Sequence, residues 1–167
     1  RKYIQKGRDF LQKGIKANPG SWYLYSLLGN MYSDTYRQPD FEKAAEVYRK
    51  ARELGAPALT ARKEFYALAR VPSKSREALK LGKELFKDPR NRVPSLVTNI
   101  FVLENRLHVP EKDRIPFREL YPTDEIARDM MTAHLANSLR YPVDGLRETL
   151  ESLPEANPDD PAPDGKD

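Results

Sequence analysis

Two neighbouring segments decide the fold of this chain: YSLLGNMY at residues 25–32 and FEKAAEVYRKA at residues 41–51. Each segment repeats small and large residues at intervals of three and four, which places them on one face of an α-helix. The positions are Tyr25, Leu28, Gly29 and Tyr32 in the first segment, and Ala44, Tyr48 and Ala51 in the second. Small residues let two helices approach closely while the large side chains fill the space beside them, so a tightly packed helix pair is predicted.

The pattern of the second segment recurs along the chain. It stands 37 residues earlier as Gly7, Leu11 and Gly14, and 34 residues later as Ala78, Gly82 and Leu85. Two further steps of 34 reach Leu146, Leu150 and Leu153, whereas the copy between them would fall on Lys112, Pro116 and Glu119, where the pattern fails. A period close to 34 predicts an array of helix pairs.

These signatures resemble the tetratricopeptide repeat family, whose period is about 34 residues. Residues 25–32 are similar to the first-helix signature of that family, with Tyr25 where Trp is usual, and residues 44–51 are similar to the second-helix signature. Pro57 lies near the usual closing proline. The resemblance implies an all-α fold of antiparallel helix pairs stacked as a right-handed superhelix. It is clear over residues 3–89 and degenerate over 93–153.

Pro, Gly and Asn breaks divide the chain further. They predict helices at 3–16, 22–33, 41–54, 58–70, 75–87, 94–107, 124–140 and 143–153, with Ser21 and Thr123 as N-caps. The helical domain at 1–153 is expected to comprise a half repeat at 1–20, repeats at 21–57 and 58–90, and degenerate pairs at 91–153. Three prolines leave room for one or two short turns at 108–122. The Pro- and Asp-rich tail at 154–167 is predicted to be disordered.

Composition narrows the function classes. The net charge of +4 divides into −4 on residues 153–167 and +8 on the remainder, and the first 17 residues carry six basic residues against Asp9. The chain has no cysteine, which excludes disulfides and thiolate chemistry. No run approaches the ~20 apolar residues of a membrane span. Because the chain begins inside a predicted helix, we expect a longer protein upstream, and the compartment stays open between cytoplasm and cell envelope.

The sequence offers little catalytic chemistry. The two histidines, His108 and His134, lie in different segments, and a zinc site needs three or four ligands. Neither a glycine-rich phosphate loop nor a Gly-x-Ser-x-Gly elbow occurs. We therefore predict a protein that is not an enzyme and that uses no metal or cofactor.

The resemblance implies a concave groove, lined by the first helix of each repeat, that binds a peptide or partner protein. The candidate groove residues are Tyr23, Ser26, Asn30, Arg62, Lys63, Tyr66 and Arg70. Family members that grip a C-terminal carboxylate commonly carry Asn at the place of Asn30, and an amide there can both donate and accept. The alternative is that Asn30 is an ordinary polar surface residue without a role in binding.

Two other functions stay open. The basic residues near the N-terminus favour an RNA-binding helical repeat, although elsewhere the basic residues are interspersed with acids. The predicted helix at 3–16 lacks its first-helix partner, so its apolar face could serve assembly of a larger protein or a dimer.

Overall fold

The computed structural model describes residues 2–156 and 158–159, and every regular element in that part of the chain is a helix. The α-helices are α1 (Lys2–Ala17), α2 (Trp22–Ser33), α3 (Phe41–Glu53), α4 (Ala58–Ala69), α5 (Ser75–Phe86), α6 (Pro94–Arg106), α7 (Phe117–Leu120), α8 (Asp124–Ala136) and α9 (Leu146–Ser152). Single 3-10 turns lie at Pro72–Lys74, Pro89–Asn91 and Glu111–Asp113. The prediction of an all-α protein is confirmed.

Side-chain caps fix several helix starts. The Ser21 hydroxyl accepts a hydrogen bond from the Leu24 N–H at the start of α2, and the Thr123 hydroxyl accepts one from the Ile126 N–H at the start of α8. Both caps were predicted. Asp40 does the same for α3 through the Lys43 N–H. Each cap satisfies one of the N–H groups that a helix leaves unpaired in its first turn.

The helices pack in chain order. Each of α1 to α5 contacts the next helix, and α4 also contacts α6, which in turn contacts α8. The link between α1 and α2 spans roughly 17 Å at most, which is shorter than the roughly 24 Å length of α1, so the two helices run antiparallel. Ser26 on α2 reaches Thr60 on α4 with 3.4 Å between the hydroxyl oxygens. We call α2, α4, α6 and α8 the even-helix row.

The repeat-signature residues form the contact between α2 and α3. All of them except Tyr25 are buried, and Ala44 and Ala51 are completely so. The Tyr48 ring lies directly over Gly29, where the Cβ of any larger residue would stand only 2.6 Å from the ring Cδ1. Gly29 therefore permits the close approach of the two helices, as the small-and-large pattern predicts.

The proline-rich insert between α6 and α8 is packed rather than loose. Phe117 and Tyr121 place their rings 5.9 Å from Phe101 of α6, and the Tyr121 hydroxyl donates to the Thr98 hydroxyl at 3.0 Å. The buried Glu104 carboxylate accepts from the Ile115 N–H at 3.1 Å. The sequence predicts a turn or two here and leaves their packing open.

The C-terminal pair differs from the prediction. Helix α8 ends at Ala136 instead of residue 140, and α9 begins at Leu146 instead of 143. Gly145 adopts φ +70, a left-handed conformation that interrupts a right-handed helix. The segment 137–145 forms a loop instead. Beyond α9, the predicted disorder of residues 154–167 falls largely outside the described residues.

Candidate functional site

A cavity of 310 Å³ opens where the ends of α2 and α4 meet the loop 137–145. Its walls come from residues 33–36, α3, α4 and the loop. The volume lies at the lower end of the roughly 300 to 1,000 Å³ of small-ligand pockets. It is the right size for a side chain or a short peptide segment.

Helix α4 supplies the predicted part of this wall. Lys63, Tyr66 and Arg70 are three and four residues apart on one helical face, and all three line the cavity. The Tyr66 hydroxyl is 2.7 Å from the Ser95 hydroxyl on α6, which fixes the ring across two members of the even-helix row. Burial raises the pKa of Tyr66, so its hydroxyl stays protonated and neutral.

Asn30 on α2 does not line the cavity itself, but it forms hydrogen bonds to two residues that do, Tyr48 and Lys63. Its Oδ1 accepts from the Tyr48 hydroxyl at 2.8 Å and from the Lys63 ammonium at 3.0 Å. Because an ammonium only donates, the oxygen must face Lys63. Both donors of the exposed Asn30 amide group then lack a hydrogen-bond partner among the described residues. The dual donor and acceptor role expected for Asn30 is therefore reduced to donation.

Arg70 has the most unusual environment. Its guanidinium carbon lies 4.5 Å from the centre of the Phe41 ring and 4.6 Å from that of Tyr141, so both rings make a cation–π contact with it. The Arg70 side chain forms no hydrogen bond to the described part of the chain, and its Nε–H is buried without an acceptor. Desolvation, together with nearby Arg140, lowers the pKa of Arg70.

The loop 137–145 closes the cavity from the far end of the chain. The Tyr141 ring meets Tyr66 at 6.0 Å and His134 at 5.4 Å. His134 also holds the loop through its Nε2, which is 2.9 Å from the Pro142 carbonyl oxygen. Burial lowers the pKa of His134, so the imidazole is neutral near pH 7. Arg140 then reaches the Tyr36 hydroxyl at 3.5 Å, across 104 residues of sequence.

Besides Asn30, three of the predicted groove residues do not line the cavity. Ser26 is buried against Thr60, so its hydroxyl is not available on an open groove, which corrects the prediction. Arg62 donates to the buried Asn91 at 3.0 Å and ties α4 to the turn before α6. Tyr23 is 58% exposed, but it lies about 10 Å from Asn30 along α2 and does not line the cavity.

The cavity is positively charged. Lys63, Arg70 and Arg140 line it against a single acidic side chain, Asp34. The Asp34 carboxylate already accepts from the Tyr36 N–H at 3.0 Å and lies 3.5 Å from Arg37. An incoming anion would therefore meet more positive charge than the protein itself neutralises.

A larger cleft of 670 Å³ lies between α6, the insert and the start of α9. Its polar groups bind one another: Arg106 pairs with Asp144 at 2.9 Å, and the Asn105 amide donates to the Asp144 carbonyl at 2.8 Å. Arg114 donates to the Asn105 Oδ1. We interpret this cleft as the joint that fixes the insert and α9 to α6.

The remaining chemistry is sparse. Within residues 2–156 and 158–159, no cluster of three or more His, Asp or Glu side chains has the arrangement of a metal site. In the same part of the chain, no helix is long and apolar enough to cross a membrane. Comparison with protein-family models, curated proteins and solved structures found no match for this chain. The cavity is thus interpreted from its own residues.

Proposed function

We propose that this chain is a non-catalytic interaction module of the tetratricopeptide type, in which a right-handed stack of helix pairs binds a partner polypeptide along the even-helix row. The observation that carries the proposal is the cavity on α4, whose walls join side chains from α2, α3, α4 and the loop 137–145. A site assembled from several elements of a rigid scaffold is typical of recognition surfaces.

Cross-helix hydrogen bonds support this proposal. Asn30 with Lys63 ties α2 to α4, and Tyr66 with Ser95 ties α4 to α6. These side chains are held in place before a partner arrives, which lowers the entropy lost on binding. The donors that remain on Asn30 and Arg70 match the carbonyl and carboxylate oxygens of a polypeptide.

Peptide selection tests the proposal. Random dodecapeptides displayed on phage would be selected on the wild-type chain, and their affinities measured by fluorescence anisotropy. We expect Tyr66→Ala and Asn30→Ala to weaken binding about tenfold, the effect of a loss of about 1.4 kcal/mol. Lys80→Ala is the matched control, because Lys80 is exposed on α5, outside the row. The proposal would be overturned if the selected peptides bound Tyr66→Ala and Asn30→Ala as tightly as the wild type, or if the selection yielded no peptide.

One observation favours assembly as a second function. Tyr3 and Phe10 lie seven residues apart on the same side of α1 and are 85% and 76% exposed. Two large exposed side chains on one helix face are a plausible self-association surface. Light scattering would detect a concentration-dependent dimer that Phe10→Ser abolishes, and a monomer at all concentrations would remove this function.

A further inference from the structure

We propose that the cavity between Phe41, Arg70, Arg140 and Tyr141 binds the carboxylate side chains of an acidic peptide. This inference rests on the proposed function and names the chemistry of the partner. It also assigns a role to the loop 137–145, which lies outside the repeat signatures. The loop supplies Arg140 and Tyr141, two of the four residues of the subsite.

The unused donors of Arg70 are the first argument. A guanidinium has five N–H donors in one plane, and in Arg70 none of them is hydrogen-bonded to the described part of the chain. The rings of Phe41 and Tyr141 pack against the guanidinium group without forming a hydrogen bond to it. Two parallel N–H groups at the edge of the guanidinium plane match the two oxygens of a carboxylate.

The surrounding charge is the second argument. Arg140 makes only a long contact, 3.5 Å, to the Tyr36 hydroxyl, and it is exposed at the rim of the cavity. A second recess of 230 Å³ lies beyond Arg70 and shares Phe41, Arg70, Arg140 and Tyr141 with the first. Anionic groups in either recess would reach the same two guanidinium groups. Neighbouring acidic side chains of one peptide fit this arrangement.

Aromatic geometry favours a peptide over RNA. Single-stranded RNA is held largely by stacking of its bases on open aromatic faces. Here the Tyr141 ring has Arg70 on one side and both Tyr66 and His134 as ring neighbours, while Phe41 has Arg70 at 4.5 Å. Each of these rings therefore has a protein group packed against it. Tyr36 at the rim is 87% exposed, but one exposed ring offers less stacking than the successive rings that hold single-stranded RNA.

The experiment follows the Arg70 Nε–Hε signal in proton–nitrogen spectra of the whole chain. The probes are acetyl-Gly-Glu-Glu-Glu-Gly-amide, the same peptide with Gln in place of Glu, and hexauridylate. Titrations would be made at low salt, because surface charges are screened within about 10 Å at 0.1 M ionic strength. Signals are assigned by the loss of one peak in Arg70→Lys and one in Arg140→Gln.

The Glu peptide should shift the Arg70 signal saturably, and the Gln peptide should bind about tenfold more weakly. Arg140→Gln should weaken the Glu peptide roughly two- to fivefold, the range for one exposed charge pair. Arg49→Gln, an exposed arginine on α3, is the matched control and should leave the affinity unchanged.

Three results would overturn the inference: no saturable shift of Arg70, equal binding of the Glu and Gln peptides, or tighter binding of hexauridylate than of the Glu peptide. The proposed function is separable from it. Selected dodecapeptides that depend on Tyr66 but lack acidic residues would preserve the partner-binding function while removing its acidic specificity.

Discussion

Replacing Gly29 by alanine tests the packing of α2 on α3, because helix propensity and tertiary contact predict opposite signs. Alanine in a helix interior is favoured over glycine by about 1 kcal/mol. At Gly29, however, the added Cβ would lie 2.6 Å from the Cδ1 and 2.8 Å from the Cζ of the Tyr48 ring. Tyr48 is only 2% exposed, although it lines the 310 Å³ cavity, so its ring has little room to move away from α2.

The net effect follows from three contributions. Overpacking of a core costs about 1–3 kcal/mol. A displaced Tyr48 also weakens the hydrogen bonds from its hydroxyl to Asn30 at 2.8 Å and with Ser33 at 3.0 Å, each worth about 1 kcal/mol. After the gain in propensity, Gly29→Ala should lower the free energy of unfolding by about 2 kcal/mol. In a domain of this size that shifts the melting temperature down by roughly 4–8 °C.

Gly14→Ala is the matched control, since the new Cβ would lie at an ordinary 3.5 Å from Leu24. It should raise stability by roughly 0.5–1 kcal/mol. Urea melts of both variants measure the two effects, and Gly29→Ala should cost less stability in a Tyr48→Leu background than in the wild type. A Gly29→Ala variant as stable as Gly14→Ala would refute the packing argument.

Three further predictions concern buried charges and can be checked by urea melts. Arg52 donates two hydrogen bonds to the buried Glu64 carboxylate, at 2.7 and 3.2 Å, so Arg52→Ala should lower the free energy of unfolding by about 1–3 kcal/mol. The loss is smaller than for a fully buried pair because Arg52 is 40% exposed, and a change within about 0.5 kcal/mol would contradict this. Because burial holds the pKa of His134 below 6.5, the unfolded chain binds the proton first, and the free energy of unfolding should fall as pH drops below that value. His134→Gln should make this fall shallower, and an unchanged pH profile in the variant would show that His134 does not cause it. Burial raises the pKa of Glu104 above 4.5 despite the nearby Lys83 ammonium, so the unfolded chain loses this proton first as pH rises. The free energy of unfolding of the wild type should therefore decline relative to that of Glu104→Gln above pH 4.5. A difference between the two proteins that is constant from pH 4 to 7 would contradict this prediction.

The parts of the structure that depend on local periodicity could be predicted from the sequence. The face of α4 that carries Lys63, Tyr66 and Arg70 follows from intervals of three and four, and the structure places these residues together on the cavity wall. The close approach at Gly29 follows from the same reasoning. Helical spacing does not reveal what faces each position, however. The family resemblance assigned Ser26 to an open groove, whereas in the structure Ser26 is buried against Thr60 of α4.

The rest of the cavity depends on contacts between distant parts of the chain. Arg140 meets Tyr36 across 104 residues, and the position of Tyr141 depends on how His134 turns the loop. In the sequence, Tyr141-Pro142 indicates only a helix break. The end of α8 at Ala136 does have a local signal, because Asn137 and Ser138 are poor helix formers and Asn is common just after a helix. The path of the loop that follows depends on its tertiary contacts. The sequence held one signal, an aromatic residue at Tyr36 that belongs to no repeat signature; the structure leaves it 87% exposed.

The most direct test of the account locates the bound partner without a mutation. Proton–nitrogen backbone spectra of the wild-type chain would be recorded with a dodecapeptide selected on it, and the shifted amides mapped onto the helices. We predict that the largest shifts fall on α2, α4 and α6 and on the loop 137–145. Shifts confined to α1, or to the exposed sides of α3 and α5, would contradict it.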